Sequence, residues 1–351
     1  MTMGRSKARL GFIGILLVSG AADAVAADPV AEFYAGKQIR LLISTDAGTT
    51  YDVYGRVLAE HMAPHIPGKP SFIVQNMPGA AGVKVANYIY AGAPRDGTVF
   101  AGTHSGIPTS TTLTPEGTQY DVNKLGWIGS ITKEVYTAYV WHTSPVQSFA
   151  AARDRELIVG SQAIGSAGTD LAIMSNEFVG TKLKIITGYK SAPEVKLALE
   201  KGEVQGTFAN AWSALKQQEP TWITDRKVTL ILQHGFEKHP EIPDVPLFID
   251  QAKTPQGRQA LELMLARQET GKPYFVPPDV PAERLTALRR AFDATMKDPA
   301  FAAALNKVKL DMDGPLTGER VAAMTLRLSQ TSQTVVQSIN AAFDKFRVAA
   351  K

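Results

Sequence analysis

From Gln38 onward the chain alternates short β-branched or apolar runs with longer amphipathic ones, and few folds accept that rhythm. Ile39 to Ser44 predicts a strand. After the turn Thr45 to Thr50, Val53, Val57, Leu58 and Met62 recur at helical spacing, and Pro64 with Pro67-Gly68 stops the run. Ser71 to Gln75 is a second strand, Pro78-Gly79 opens a turn, Val83 to Tyr90 is a helix and Thr98 to Thr103 a third strand. Three strand-to-helix steps make one lobe.

A second series starts near Tyr139. Leu157 to Ser161, Lys184 to Thr187, Gln205 to Ala209 and Val228 to Gln233 predict strands, with helices over Thr169 to Phe178 and Ala192 to Lys201. The stretch Pro240 to Pro246 marks a crossing. Beyond it, Pro255 to Gln268, Pro281 to Lys297, Pro299 to Val308 and Gly318 to Phe346 all read as helices, so a helical C-terminal segment is expected.

Where the protein works follows from its first residues. Arg5, Lys7 and Arg9 precede the apolar run Leu10 to Val18, and small residues follow at Ala24-Val25-Ala26. This is a signal-peptide layout, with a run well short of the roughly 20 residues that span a bilayer. Cleavage after residue 26 implies export to the periplasm and leaves about 325 residues, enough for two ordinary domains. Removing Arg5, Lys7, Arg9 and Asp23 from the 37 basic and 33 acidic side chains leaves 34 against 32. Global charge therefore says little about a ligand, and the absence of a basic block argues against nucleic acid. Cysteine is absent, which removes disulfides, thiolate nucleophiles and cysteine metal sites together.

Two strand-to-helix junctions have suitable chemistry for an anion. One is Ser44-Thr45-Asp46-Ala47-Gly48-Thr49-Thr50-Tyr51-Asp52; the other is Ser161-Gln162-Ala163-Ile164-Gly165-Ser166-Ala167-Gly168-Thr169. The first N–H groups of a helix lack internal partners and sit at the positive end of its dipole, so such a junction can grip a carboxylate without a cationic side chain. Glycine admits close approach, and the hydroxyls of Ser44, Thr49, Ser166 and Thr169 add directional donors. Either loop alone reads equally as a helix with an ordinary Ser/Thr N-cap. Two of them, one per lobe, point to a shared cleft at the carboxyl ends of the strands.

The ordered set of motifs carries a family resemblance. The run Phe33-Tyr34-Ala35-Gly36-Lys37-Gln38-Ile39-Arg40-Leu41-Leu42-Ile43, the junction ending Tyr51-Asp52, and Val74-Gln75-Asn76-Met77-Pro78-Gly79-Ala80-Ala81-Gly82 open it. Gly160-Ser161 with Gly165-Ser166, then Gly188-Tyr189-Lys190, Gly202-Glu203-Val204-Gln205 and Ile242-Pro243-Asp244-Val245-Pro246 follow in order. Together they resemble the Bug family of periplasmic receptors, the solute-binding components of tripartite tricarboxylate transporters.

The resemblance implies a two-lobed α/β fold of the type II periplasmic-binding kind, each lobe a mixed, mostly parallel sheet flanked by helices, with the ligand cleft between. Residues 33–138 and 250–351 would form lobe 1 and 139–249 lobe 2. It implies a small carboxylate as ligand, an inner-membrane permease of one large and one small subunit as partner, a monomer, no metal and no cofactor. Carried over by position, Ser44 to Asp52 and Ser161 to Thr169 are the two pincers, Gly79 and Ala80 sit at another helix start, and Thr103, His104 and Ser105 occupy a strand-end loop. Tyr189 and Asn210 line the far wall. The first pincer departs from the family's proline-rich, double-glycine loop. There Asp46 and Asp52 would repel a carboxylate, so Asp52 caps its own loop, receives a donor from the ligand, or is a first-turn carboxylate favoured by the dipole.

Catalysis is the rival reading. His61 and His65 have i, i+4 spacing, but Pro64 intervenes and no Glu follows His61 to complete a hydrolase motif. Gly165-Ser166-Ala167-Gly168 lacks the spacing of a nucleophile elbow, and Gly79 to Gly82 runs into Val83-Lys84-Val85 without a P-loop. What stays open beside a non-catalytic binding protein is a periplasmic hydrolase or lyase using His104, or a sensory receptor on the same fold.

Overall fold

The computed structural model describes residues 1–2, 28–113 and 115–349; the signal-peptide reading rests on residues outside these. Its strands form two sheets, one of six and one of five among the described residues.

Chain order explains both. After α1 (Pro29–Tyr34) come β1 (Gln38–Ile43), α2 (Thr50–Met62), β2 (Ser71–Asn76), α3 (Val83–Ala91), β3 (Val99–Gly102), α4 (Ile107–Leu113) and β4 (Gly126–Ser130). The chain then crosses to the second sheet with β5 (Tyr136–Trp141), α5 (Ala151–Asp154), β6 (Leu157–Gly160), α6 (Ala167–Met174), β7 (Leu183–Ile186), α7 (Ala192–Glu200), β8 (Gly206–Ala211), α8 (Trp212–Gln218), α9 (Pro220–Thr224) and β9 (Val228–His234). It continues through α10 (Pro255–Glu269), returns with β10 (Pro273–Val276), and ends in α11 (Ala282–Met296), α12 (Pro299–Lys307), β11 (Leu316–Thr317), α13 (Gly318–Ser329) and α14 (Gln333–Ala349).

Strand periodicity sorts side chains between the two faces of each sheet. On β1, Ile39, Leu41 and Ile43 enter a core with Leu58 of α2, Leu288 of α11 and Phe301 of α12, whereas Leu42 enters another with Val85 of α3 and Val321 of α13. On β5, Ala138 and Val140 face one core and Tyr139 the opposite one. Helices thus cover both faces of both sheets, as the near-continuous apolar runs require.

The sheets are mixed and, by strand direction, mostly parallel, as expected. Strands β2, β1 and β3 run parallel, as do β7, β6 and β8, yet β10 and β11 pair antiparallel to β4, and β5 pairs antiparallel to β8 and β9. The cause is that β5 and β10 each enter their sheet by crossing from the other one. The C-terminal segment is not wholly helical, because β10 is inserted between β3 and β4. The single helix expected over Gly318 to Phe346 is two, separated at Gln330 to Ser332. Finally, α10 and α14 pack against each other and against α6, in one core with β6 and β8. Residues 255–269 and 333–349 thus share a core with the second sheet, and α10 also touches α4.

Candidate functional site

The first loop is closed from within. Thr49 caps α2 by accepting from Asp52 N–H, and its hydroxyl donates to the Asp46 carbonyl at 2.9 Å. Asp52 is 2% exposed and accepts from Gly48 N–H at 2.9 Å, the Asn76 amide at 2.8 Å and Arg56 Nε at 2.9 Å. Burial works to raise its pKa, but the hydrogen bonds from Arg56, Gly48 and Asn76 outweigh it and hold the carboxyl below the usual value. Asp52 is therefore a loop cap with its acceptor capacity largely used.

The second loop repeats this plan with less support. Ser166 caps α6 by accepting from Thr169 N–H, and Asp170 Oδ1 accepts from Gly165 N–H at 2.8 Å, as Asp52 does from Gly48. Here the likeness ends. Among the described residues no side chain donates to Asp170, so burial dominates and its pKa is raised, with Arg267 and Arg347 acting in the opposite direction. Thr169, fully buried, donates to Ser161 Oγ at 2.8 Å.

Between the loops, at the end of β3, His104 connects the parts. Its Nδ1 lies 3.1 Å from Ser44 Oγ, its ring is 4.8 Å from that of Tyr51, and Ser105 N–H donates to the Tyr51 hydroxyl at 3.2 Å. Burial first, then the charges of Lys272 and Arg267, hold the His104 pKa below the ordinary histidine value, so the ring is neutral at pH 7. Lys272 lies 4.5 Å over the Tyr51 ring. Gly79 to Gly82 all have positive φ, including the non-glycine residues Ala80 (45°) and Ala81 (48°). Each of those alanines stores roughly 1–2 kcal/mol of strain. A Cβ built on Gly82 would stand 3.4 Å from His104 Nδ1, which places the α3 start beside this cluster.

A cavity of ≈ 180 Å³ is lined by Ser105, Glu134, Tyr136, Gly165, Ala167, Asp170, Leu171, Met264, Arg267 and Gln268. It draws on both sheets and on the crossing segments between them. Of the expected residues, Ser105, Gly165 and Ala167 line it; Tyr51 is bonded to Ser105, and His104 and Ser44 lie behind it. Ser161, Gly168 and Asn210 instead line a separate ≈ 40 Å³ pocket with Gln162 and Lys196, behind the second loop. Tyr189 packs on Gly160 in the core near that pocket, and Thr103 is buried. Asp46, Ala47, Gly48, Thr50, Gly79 and Ala80 are solvent-exposed, while Thr45 bonds Thr49 across the loop at 2.6 Å. His61 meets the Phe301 ring edge to face and His65 pairs with Asp298, both away from the cavity.

Sequence reasoning missed Arg267, Asp170, Glu134, Tyr136 and Lys272. Among the described residues the side chains of Arg267 and Lys272 form no hydrogen bond or ion pair, and Arg267 is exposed at the cavity. Glu134 accepts from the Tyr136 hydroxyl at 3.0 Å and has no ion pair there. The signal available was weak, because an Asp in a first helical turn and an Arg in a last turn are ordinary dipole partners.

No protein-family model matches the sequence, and comparison with curated proteins returns no match. Solved structures do resemble it. A TctC solute-binding protein from Polaromonas, without ligand, is 19% identical, aligns over 89% of this chain and 99% of its own, and has a TM-score of 0.68. The periplasmic binding protein BugD is 20% identical over 88% of this chain and 98% of its own, with a TM-score of 0.52. A protein of R. palustris solved with adipate is 21% identical over 87% and 97%, also at 0.52. These likenesses span nearly the whole described chain, and they establish its fold as that of the two-lobed periplasmic binding proteins.

Proposed function

We propose that the chain is an exported, non-catalytic solute receptor of the Bug and TctC type, which captures a small carboxylate between its lobes and delivers it to an inner-membrane permease of one large and one small subunit. The observation that carries this reading is the cavity shared by Ser105 and Gly165, with the unpaired guanidinium of Arg267 on its wall. An unpaired cation in a partly enclosed site attracts a carboxylate more strongly than it would in open water, and Arg suits the planar, two-oxygen geometry of that group. The R. palustris neighbour is described with a dicarboxylate, which agrees. His104 is neutral and bonded to Ser44 Oγ, but that hydroxyl is buried, and among the described residues no carboxylate pairs with the ring and no group could hold a metal ion, so binding is favoured over hydrolysis.

Isothermal calorimetry of the purified protein against mono-, di- and tricarboxylates tests the reading. At least one acid should bind, and Arg267→Gln should weaken it by about ten- to a hundred-fold, the worth of a charged hydrogen-bonded contact. Binding only to a sugar or a simple amine, or an Arg267→Gln affinity equal to wild type, refutes it.

A further inference from the structure

A second set of contacts joins the lobes away from the cavity. After β9, residues 236–246 stay with the second sheet: Gln233 Nε2 donates to the carbonyls of Ile242 and Val245, which pack in the core of Tyr139 and Val228. Two side chains of this stretch nevertheless reach the other lobe. Glu237 stands 3.8 Å from Arg320 of α13, which packs on β4, and His239 Nε2 donates to Asp313, just before β11, at 3.0 Å. Glu241 N–H donates to His239 Nδ1, so the neutral ring with its proton on Nε2 satisfies both contacts. Lys133, on the crossing chain, lies 3.7 Å from Glu237 and 3.2 Å from Glu269, and alternating charges thus run Arg320, Glu237, Lys133, Glu269.

This cluster lies behind the cavity. The N–H groups of Lys133 and Glu134 donate to opposite neighbours, the carbonyls of Asp313 and Gln268, as in an extended chain whose successive side chains leave by opposite faces. Glu134 lines the cavity, and Lys133 enters the cluster. A swing of the lobes that brings loops 44–52 and 161–169 together in front therefore draws the rear groups apart. Among the described residues no hydrogen bond joins those two loops, whereas the rear contacts are made. We propose that the rear cluster is an electrostatic latch holding the lobes open, so that closure on any solute must part Glu237 from Arg320 and His239 from Asp313. Such pairs are individually weak, yet together they are enough to shift a two-position balance several-fold.

The test needs no solute. The chain has no cysteine, so Gln75→Cys and Lys184→Cys, at exposed positions on the outermost strands β2 and β7, can carry spin labels that report the distance between the lobes. In this labelled background Arg320→Glu, which sets a carboxylate against Glu237, and Asp313→Ala should each raise the population at short distance about three- to ten-fold. Adding Glu237→Lys to Arg320→Glu restores the attraction and should return the distribution toward that of the parent, which a merely structural fault would not allow. Raising salt to about 1 M should shorten the distances in the parent as well, because it screens the exposed charges, and this arm decides alone if a variant melts below the parent. Distances that stay level or lengthen in the variants and at high salt overturn the latch, as does a shift in Arg320→Glu that the charge swap fails to reverse.

Discussion

The contrast between Asp52 and Asp170 makes a stability prediction that is independent of any ligand. Asp52→Ala removes the acceptor for the part-buried Gly48 N–H and Asn76 amide, and the partner of Arg56. Hydrogen bonds to a charged acceptor are worth about 1.5–3 kcal/mol each and are not additive, and an exposed i,i+4 pair adds only a few tenths, so a loss of roughly 3 kcal/mol is expected. With an unfolding entropy of about 2.1 cal/mol/K per residue over about 320 residues unfolding as one unit, Tm should fall by roughly 4 °C. Asp170→Asn keeps an acceptor for Gly165 and removes an ill-served buried charge, so Tm at pH 7 should stay level or rise. The pH dependence has opposite signs. Asp52 has a folded pKa below 3.8, so its contribution is complete above that value and is lost as pH falls through the folded value. Asp170 has a folded pKa above 3.8, so its penalty is absent below 3.8 and complete once pH rises past the folded value. Circular dichroism melts of wild type, Asp52→Ala and Asp170→Asn between pH 3 and 7 would show it. Equal Tm losses for the two variants at pH 7 would refute the reasoning.

His234 is fully buried among Phe208 and Phe248, its pKa is pushed down to about 3 by burial, and its Nε2 has no hydrogen-bond partner among the described residues. Its share of stability is complete above the unfolded value of 6.5 and is lost as pH falls toward 3, so His234→Phe should melt within about 1 kcal/mol of wild type at pH 7 and lose less Tm on acidification. Gly102, at the end of β3, leaves no room for a methyl group: a Cβ there would lie 2.5 Å from Tyr274 Cε1 and 3.0 Å from Ile43 Cδ1. Gly102→Ala should cost about 1–3 kcal/mol in denaturant unfolding, and an unchanged midpoint would show that the β3 end yields more than close packing allows.

The parallel cores of both sheets could be read from sequence because each strand is a compact apolar run and each junction carries glycine or a capping hydroxyl. Val99–Gly102, Leu157–Gly160 and Leu183–Ile186 fall where those runs predict. Strand β10, at Pro273–Val276, has the same character and the same length, but nothing local says that it returns to the first sheet. Its antiparallel pairing is a long-range fact that periodicity does not encode. The break between α13 and α14 falls at Gln330-Thr331-Ser332, without the glycine or proline that announces most helix ends. Amphipathic spacing in α10 and α14 predicts an apolar face without naming which lobe covers it. At the site, the loops and His104 stood out by composition, whereas Arg267 and Asp170 are unremarkable until α10 brings its last turn to the cavity.

Two of the chain's passes between the sheets lie side by side as a ribbon. Ile131 N–H donates to the Lys272 carbonyl, Gly271 N–H to that of Thr132, and Glu134 N–H to that of Gln268. Glu134 and Gln268 also line the cavity, so its floor coincides with the fulcrum about which the lobes would rotate. A lever moves least at its pivot. Rotation would leave the spacing of the floor groups, with Ser105 bonded to Thr270 among them, almost constant while carrying Gly165 and the second loop toward or away from the first, so recognition at the bottom and capture by the loops become separable properties, open to independent change by substitution.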